Sequence, residues 1–180
     1  MAISQQQRGQ ILEIYRQEIK ISKFFLFEEI PPEKLKNARR SYASLMGDDE
    51  AVIFLFDDTL FGSSKEGFLL TTNCLYSKNF AEKGSSVKIE NISNITLDHG
   101  KLSSNIVVQT TVGLKMEFQV TQAPGRDEKT ALFRVLNKTA ELLKGQTSTS
   151  STGSGPLQCR GCGSAVNVRA VSCEYCGTAN

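Results

Sequence analysis

The sequence is short of the features that mark membrane and secreted proteins. No apolar stretch approaches the roughly 20 residues that span a bilayer. The opening residues, Met1-Ala-Ile-Ser-Gln-Gln-Gln-Arg8, hold no hydrophobic core with a cleavage site, so they do not read as a secretory signal. The expected location is cytoplasmic. Charge of one sign is not in excess: 21 Lys and Arg stand against 19 Asp and Glu, a net +2. That balance excludes a strong steering field and argues against a dedicated nucleic-acid binder, which carries a basic excess on one face. Histidine occurs once, at His99 in the expected turn Asp98-His99-Gly100, with no nucleophile assigned beside it. The alternating strand–helix units of a doubly wound sheet are missing too.

What is present is organised around Glu50–Tyr76. Val52–Phe56 is a short apolar run rich in aromatic and branched residues, which suits a buried strand better than a helix. A polar, glycine-containing loop follows, then Phe68–Leu70, a turn at Thr72-Asn73 and a third strand from Cys74. Strands are expected at Ala51–Asp57, Glu66–Thr72, Cys74–Asn79, Ser86–Asn91, Asn94–Asp98, Ser104–Thr110 and Leu114–Val120. The last alternates most cleanly, with Leu114, Met116, Phe118 and Val120 on a buried face and Lys115, Glu117 and Gln119 on a wet one. Turns are expected at Lys83-Gly84, His99-Gly100 and Val112-Gly113, where glycine can supply positive φ.

Helical periodicity frames this core. Ile11, Ile14, Tyr15 and Ile19 predict an amphipathic helix over Ser4–Ile21. Phe24-Phe25-Leu26-Phe27 is an apolar patch expected to bury against the core. Pro32 suits the first turn of a second helix, with Leu35, Ala38, Tyr42 and Leu45 on one face. Lys34, Lys36, Arg39 and Arg40 form a basic flank, read first as a solvated face, with an anionic membrane or acidic partner as the sharper alternative. Asp127 is expected to cap a helix to Leu143, with Gly145 as its stop. Its stripe of Leu132, Val135, Leu136, Thr139, Ala140 and Leu143 must cover something apolar. Gln146–Gly155 is almost all Ser, Thr and Gly and reads as a flexible linker.

Four of the five cysteines form two matching half-sites, Cys159-Arg-Gly-Cys162-Gly and Cys173-Glu-Tyr-Cys176-Gly. The C-x2-C spacing lets two thiolates converge on one ion from a tight turn, and two such turns supply the tetrahedral sulfur set that zinc prefers. Between the pairs a small hairpin is expected, with Ala165, Val166, Val168 and Val171 as strand residues. The segment resembles a zinc ribbon. Four thiolates leave no open position for water, so one structural Zn2+ on Cys159, Cys162, Cys173 and Cys176 is expected rather than a catalytic ion. Redox dithiols are the rival reading, but the βαβ context they use is missing. Only Arg160 and Arg169 are basic here and Tyr175 is the one aromatic, which favours protein contact or plain structural use over nucleic acid.

Ile53-Phe-Leu-Phe-Asp57-Asp58-Thr59-Leu60 resembles the first motif of haloacid-dehalogenase phosphatases. Aligning Thr59-Leu60 places Leu55 at the nucleophile position, and leucine cannot attack phosphorus. Asp57 and Asp58 therefore read as an acidic turn at a strand end. Cys74 reads as packing within a strand. Gly62-Ser-Ser-Lys65-Glu-Gly67 lacks phosphate-loop spacing and reads as a mobile strand connection.

Seven strands followed by one helix is the order of a pleckstrin-homology-like domain. The phrase Gly67-Phe-Leu-Leu-Thr-Thr-Asn-Cys-Leu-Tyr-Ser-Lys-Asn79 is similar to the strand pair of bacterial pleckstrin-homology-like and related GRAM domains. The resemblance covers about Asp48–Lys144. It implies an α+β fold, a seven-stranded antiparallel half-open barrel with a C-terminal helix, and a binding rather than catalytic role. The expected organisation is an N-terminal helical segment (1–47), the β domain (48–144), a linker (145–158) and a zinc ribbon (159–180). In many members a basic loop between the first two strands binds phosphoinositide. Here that loop carries Asp57, Asp58 and Glu66 against Lys65, which would repel anionic lipid. The expected function is a non-catalytic adaptor of bacterial or phage type that recognises a protein partner. Membrane association through the basic flank, nucleic-acid binding by the ribbon, and an enzyme using Asp57, Asp58 or His99 are the competing readings.

Overall fold

The apolar run at Val52–Phe56 is continuous because it is covered on both faces. In the computed structural model, which describes residues 3–18, 23–99, 104–123, 125–147, 157–158 and 165–166, this run is strand β2 (Val52–Asp57), the second strand of a five-stranded sheet. The sheet order is β1 (Phe24–Leu26), β2, β3 (Gly67–Thr71), β4 (Cys74–Lys78) and β5 (Ser85–Lys88), antiparallel throughout. A three-stranded antiparallel sheet follows, β6 (Ile92–His99), β7 (Ser104–Thr110) and β8 (Lys115–Val120). Around these lie α1 (Gln5–Glu18), α2 (Pro32–Ser41) and α3 (Arg126–Thr147). The main unit is α+β, with eight antiparallel strands in two sheets and no closed barrel among the described residues. Met1–Lys144 form one compact unit and Gly145–Asn180 a second.

Inner-face residues of both sheets share one core with α1 and α3: Phe54, Phe68 and Leu75 from the first sheet, Ile106 and Phe118 from the second, Ile11 from α1 and Leu136 from α3. An aromatic chain runs through it, with ring centroids 5.4 Å apart for Tyr15–Phe24, 4.9 Å for Phe24–Phe54, 5.9 Å for Phe54–Phe68 and 4.9 Å for Phe68–Phe118. The opposite face of the first sheet, with Leu55, Leu69 and Tyr76, packs under α2 through Ala38 and under Tyr42. Gly67 opens β3 at φ +119°, and a Cβ there would lie 2.1 Å from the Phe56 carbonyl oxygen. That close approach explains why a glycine leads this strand.

Several expectations meet a different outcome. Phe24–Leu26 is a strand, pairing Phe24 with Phe56 and Leu26 with Phe54, so the N-terminal region supplies an edge of the sheet as well as helices. Helix α2 ends at Ser41, and Leu45 is 84% exposed instead of continuing its buried face. Leu114 lies outside β8 and is exposed, while Phe118 and Val120 keep the expected inward face. Asp98 and His99 are the last residues of β6, not a turn. Helix α3 runs through Gly145 to Thr147, because a single helical glycine costs only about 1 kcal/mol. Asp127 lies inside its first turn, beside Glu128, where negative charge suits the helix dipole.

Helix α1 is held to α3 by Glu18, whose carboxylate accepts from Lys138 at 2.8 Å and Arg134 at 3.4 Å. The Lys138 hydrogen bond is the main reason its carboxyl sits below the usual range. A depressed acid stabilises the fold above its unfolded pKa and stops doing so as pH falls through the folded value. Both basic partners are surface groups, so Glu18→Gln is expected to cost only about 0.5–1 kcal/mol at pH 7, with the difference shrinking below about pH 4. Urea denaturation at the two pH values measures it.

Candidate functional site

Asp57 ends β2 with its side chain fully buried. Its Oδ1 accepts from the Thr59 N–H at 3.0 Å, the Thr59 hydroxyl at 2.5 Å and the Ser64 N–H at 3.1 Å. Its Oδ2 accepts from Lys34 Nζ at 2.6 Å. Burial opposes ionisation of this carboxyl, but the bonds from Lys34 and Thr59 outweigh it and hold it below the usual carboxylate range. Helix α2 lines up with the loop through Lys34, which also donates to the Gly62 carbonyl, Asn37, which donates to the Ser63 carbonyl at 3.0 Å, and Ser41, which donates to the Lys65 carbonyl at 2.7 Å. Their spacing of three and four residues is one helical stripe. Asp58 points elsewhere and accepts from the Thr121 N–H at 2.9 Å, the Thr121 hydroxyl at 2.9 Å and the Gln122 N–H at 2.8 Å. Burial raises its carboxyl, and these bonds offset part of that rise.

The tandem aspartates therefore tie loop 58–66 to α2 and to the end of β8. The expected mobile connection is instead a pinned loop that presents Leu60 and Phe61, 70% and 93% exposed. The Asp57 carboxylate is occupied at both oxygens. The Asp-x-Thr pattern, in which a side chain caps the amide two residues on, is the local signal that announces this turn.

Of the predicted basic flank, Lys34 is committed to Asp57 and lies 5.2 Å from the Phe25 ring centroid. Lys36 pairs with Glu33 at 3.3 Å and Arg39 with Asp48 at 3.6 Å. Only Lys34 is withdrawn from the flank: the Lys36 and Arg39 pairs are solvent-exposed, and Arg40 is exposed.

A cavity of about 650 Å3 opens between the edge strands β5 and β8. Its walls include Ser86 and Lys88 from β5 and Lys115 and Met116 from β8, with Leu45, Val112 and Leu114 at the rim. The last three are 84%, 76% and 67% exposed, an apolar concentration unusual for a free surface. Glu50 is fixed in the lining: Tyr76 O–H donates to it at 2.9 Å, the Gly47 N–H at 3.1 Å, and the Thr71 hydroxyl donates to its other oxygen. Burial, with Cys74 and Glu50 beside it, pushes the Tyr76 phenol far up, so it remains a donor at neutral pH. Cys74 also lines the cavity, half-buried, and burial raises its thiol. The sequence reading places Cys74, Tyr76, Ser86, Lys88, Lys115 and Met116 on strands, Leu45 on a helix face and Val112 in a turn, and does not bring the two edges together.

The predicted zinc ligands Cys159, Cys162, Cys173 and Cys176 lie outside the described residues, as do Val168 and Val171. The short strands β9 (Leu157–Gln158) and β10 (Ala165–Val166) pair antiparallel, with Gln158 opposite Ala165. The described partner of Ala165–Val166 thus precedes the first cysteine pair in the chain. Among the described residues no group of three His, Cys, Asp or Glu could hold a metal, and no helix is long and apolar enough to cross a membrane. Compared with protein-family models, curated proteins and solved structures, the chain matches none of them.

Proposed function

We propose that the chain is a non-catalytic binding protein, an adaptor that recognises a protein partner through a pleckstrin-homology-like domain and carries a structural zinc ribbon. One observation carries this reading: the cavity between the β5 and β8 edges, with its exposed apolar rim of Leu45, Val112 and Leu114. Four strands, three strands and a C-terminal helix, with β1 added at one edge, support the pleckstrin-homology-like assignment. Zinc on Cys159, Cys162, Cys173 and Cys176 is supported by the donor set and its C-x2-C spacing. When bound, the ion would fix the fold of a segment too small to carry its own core. Two contact surfaces on one chain raise avidity by effective concentration. Deleting residues 146–180 is expected to weaken partner capture from lysate while leaving the thermal transition of the remaining chain in place. Unchanged capture would count against a role for the ribbon.

Peripheral contact with anionic lipid is the second reading. It is favoured by Leu60, Phe61 and Phe80, all at least 70% exposed, on loops that leave the same end of the β2–β5 meander. Sedimentation with phosphatidylserine vesicles at low and high salt separates the two readings. The adaptor reading expects no salt-sensitive capture.

A further inference from the structure

The edges of β5 and β8 are partly capped by side chains, and the capping stops at the cavity. In an antiparallel ladder, alternate residue pairs turn their backbone groups outward. The Ile89 N–H bonds the Asn73 carbonyl at 2.8 Å, which makes 75/87 and 77/85 the bonded pairs of β4 and β5. Ser86 N–H and C=O and Lys88 N–H therefore face away from β4. The Thr110 N–H bonds the Leu114 carbonyl at 2.9 Å, which makes 108/116 and 106/118 the bonded pairs of β7 and β8. Lys115, Glu117 and Gln119 face outward. The Asn79 amide donates to the Glu117 carbonyl at 3.0 Å and accepts from the Gln119 N–H at 2.9 Å, and Asp58 takes the Thr121 N–H. Those side chains stand where a neighbouring strand would.

Toward the cavity this substitution ends. Lys115 N–H and C=O and Glu117 N–H have no partner among the described residues, and Ser86 N–H and C=O and Lys88 N–H match them on the facing wall. Open strand edges are templates for another strand, and natural proteins cover the ones they do not use. Here one edge is covered for half its length and left open beside an apolar rim.

We propose that this cavity takes an extended acidic peptide segment of a partner protein, added as a β-strand; the proposal rests on the adaptor reading and names its recognition chemistry. Backbone pairing to an open edge supplies affinity, and alternate side chains seated in pockets supply specificity. Val112, Leu114 and Met116 offer apolar contacts to one side of such a strand. Lys88 and Lys115 stand on opposite walls, and the one acid in the lining, Glu50, is taken up by Tyr76, Thr71 and Gly47. Each lysine has an exposed glutamate two residues along, Glu90 at 3.6 Å from Lys88 and Glu117 beside Lys115. Exposed pairs of this kind contribute little, so a ligand carboxylate can replace them. The cavity volume falls in the ordinary range for ligand sites, about 300–1,000 Å3.

The test uses the full chain and an array of fluorescein-labelled octapeptides that alternate valine with glutamate or aspartate. The tightest binder is then remade in three forms: N-methylated at one set of alternate amides, N-methylated at the other set, and with lysine for each acid. Strand addition to one of the two edges predicts saturable binding that one N-methyl register weakens about tenfold or more and the other leaves nearly unchanged, since only one set of amides meets that edge. The lysine form, and the exposed-site variants Leu114→Asp and Lys115→Glu, are expected to lose binding by a similar factor. No saturable binding, equal effects of the two registers, or indifference to Leu114→Asp would overturn the proposal. If partner capture by the full chain then survives Leu114→Asp, the cavity assignment alone has failed; if the unaltered chain captures nothing, the adaptor reading has failed with it.

Discussion

Asp57→Asn is expected to destabilise the main unit by about 2–4 kcal/mol, lowering Tm on the order of 10 °C. The substitution keeps the shape of the side chain but turns an amide N–H2 toward Lys34 Nζ, now 2.6 Å from the Asp57 carboxylate. Lys34 has only 22% of its side chain exposed, so its ammonium would lose its counter-charge with little water to replace it. Lys34→Met in the Asp57→Asn background removes that ammonium, and the double variant is expected to recover part of the loss. Asp58→Asn is the contrasting case. Its carbonyl oxygen can still accept from the Thr121 and Gln122 amides, so it is expected to cost less than about 1 kcal/mol. The pH dependence differs in sign as well. Asp57 is depressed, so its contribution is complete above its unfolded pKa of about 4 and fades as pH falls through the lower folded value. Asp58 is raised, so its contribution is present at acid pH and fades as pH rises through the two values. Urea denaturation of both variants between pH 3 and pH 7 measures this. An Asp57→Asn chain as stable as the parent would refute the buried lock.

Zinc removal is expected to have the larger effect, confined to the second unit. Structural zinc in small modules contributes on the order of 10–16 kcal/mol of apparent binding energy, which is folding energy for the segment that holds it. Reduced, purified protein is expected to contain one zinc per chain. Displacing it with a chelator is expected to collapse the dispersion of amide signals from residues 157–178 and leave those of Phe54, Phe68 and Phe118 where they were. Cys162→Ser is expected to lower zinc content in the same way, because three thiolates and a hydroxyl hold zinc less tightly. Elemental analysis that finds no stoichiometric metal would remove the zinc assignment.

The strands from Val52 to Val120 could be read locally because each is bounded by a turn and patterned by its faces. Met116, Phe118 and Val120 alternate because one side of β8 meets the core. Phe54 to Phe56 do not alternate because both sides of β2 are covered. Strand β1 escaped this logic. Its partner β2 lies beyond an intervening helix, and three apolar residues give no period to recognise. From the sequence Lys34 reads with its helical neighbours as a solvated charge, since its partner Asp57 is 23 residues away and no local pattern joins them. Leu45 follows Tyr42 at helical spacing, yet the helix has already ended at Ser41, and Leu45 serves the cavity rim instead. The cavity itself was illegible for the same reason as the lock. Ser86 and Lys115 belong to different sheets, and only the tertiary fold makes their edges face one space.

Native-state hydrogen exchange on the full, ligand-free chain tests the open edges most directly. Ser86, Lys88, Lys115 and Glu117 amides are expected to exchange far faster than Val87, Met116 and Phe118, their bonded neighbours along the same strands, and those of one edge, Ser86 with Lys88 or Lys115 with Glu117, are expected to slow when the tightest acidic octapeptide is added. Protection of the four equal to that of their neighbours in the free chain would mean that the edges are already paired, and would contradict a strand-accepting site.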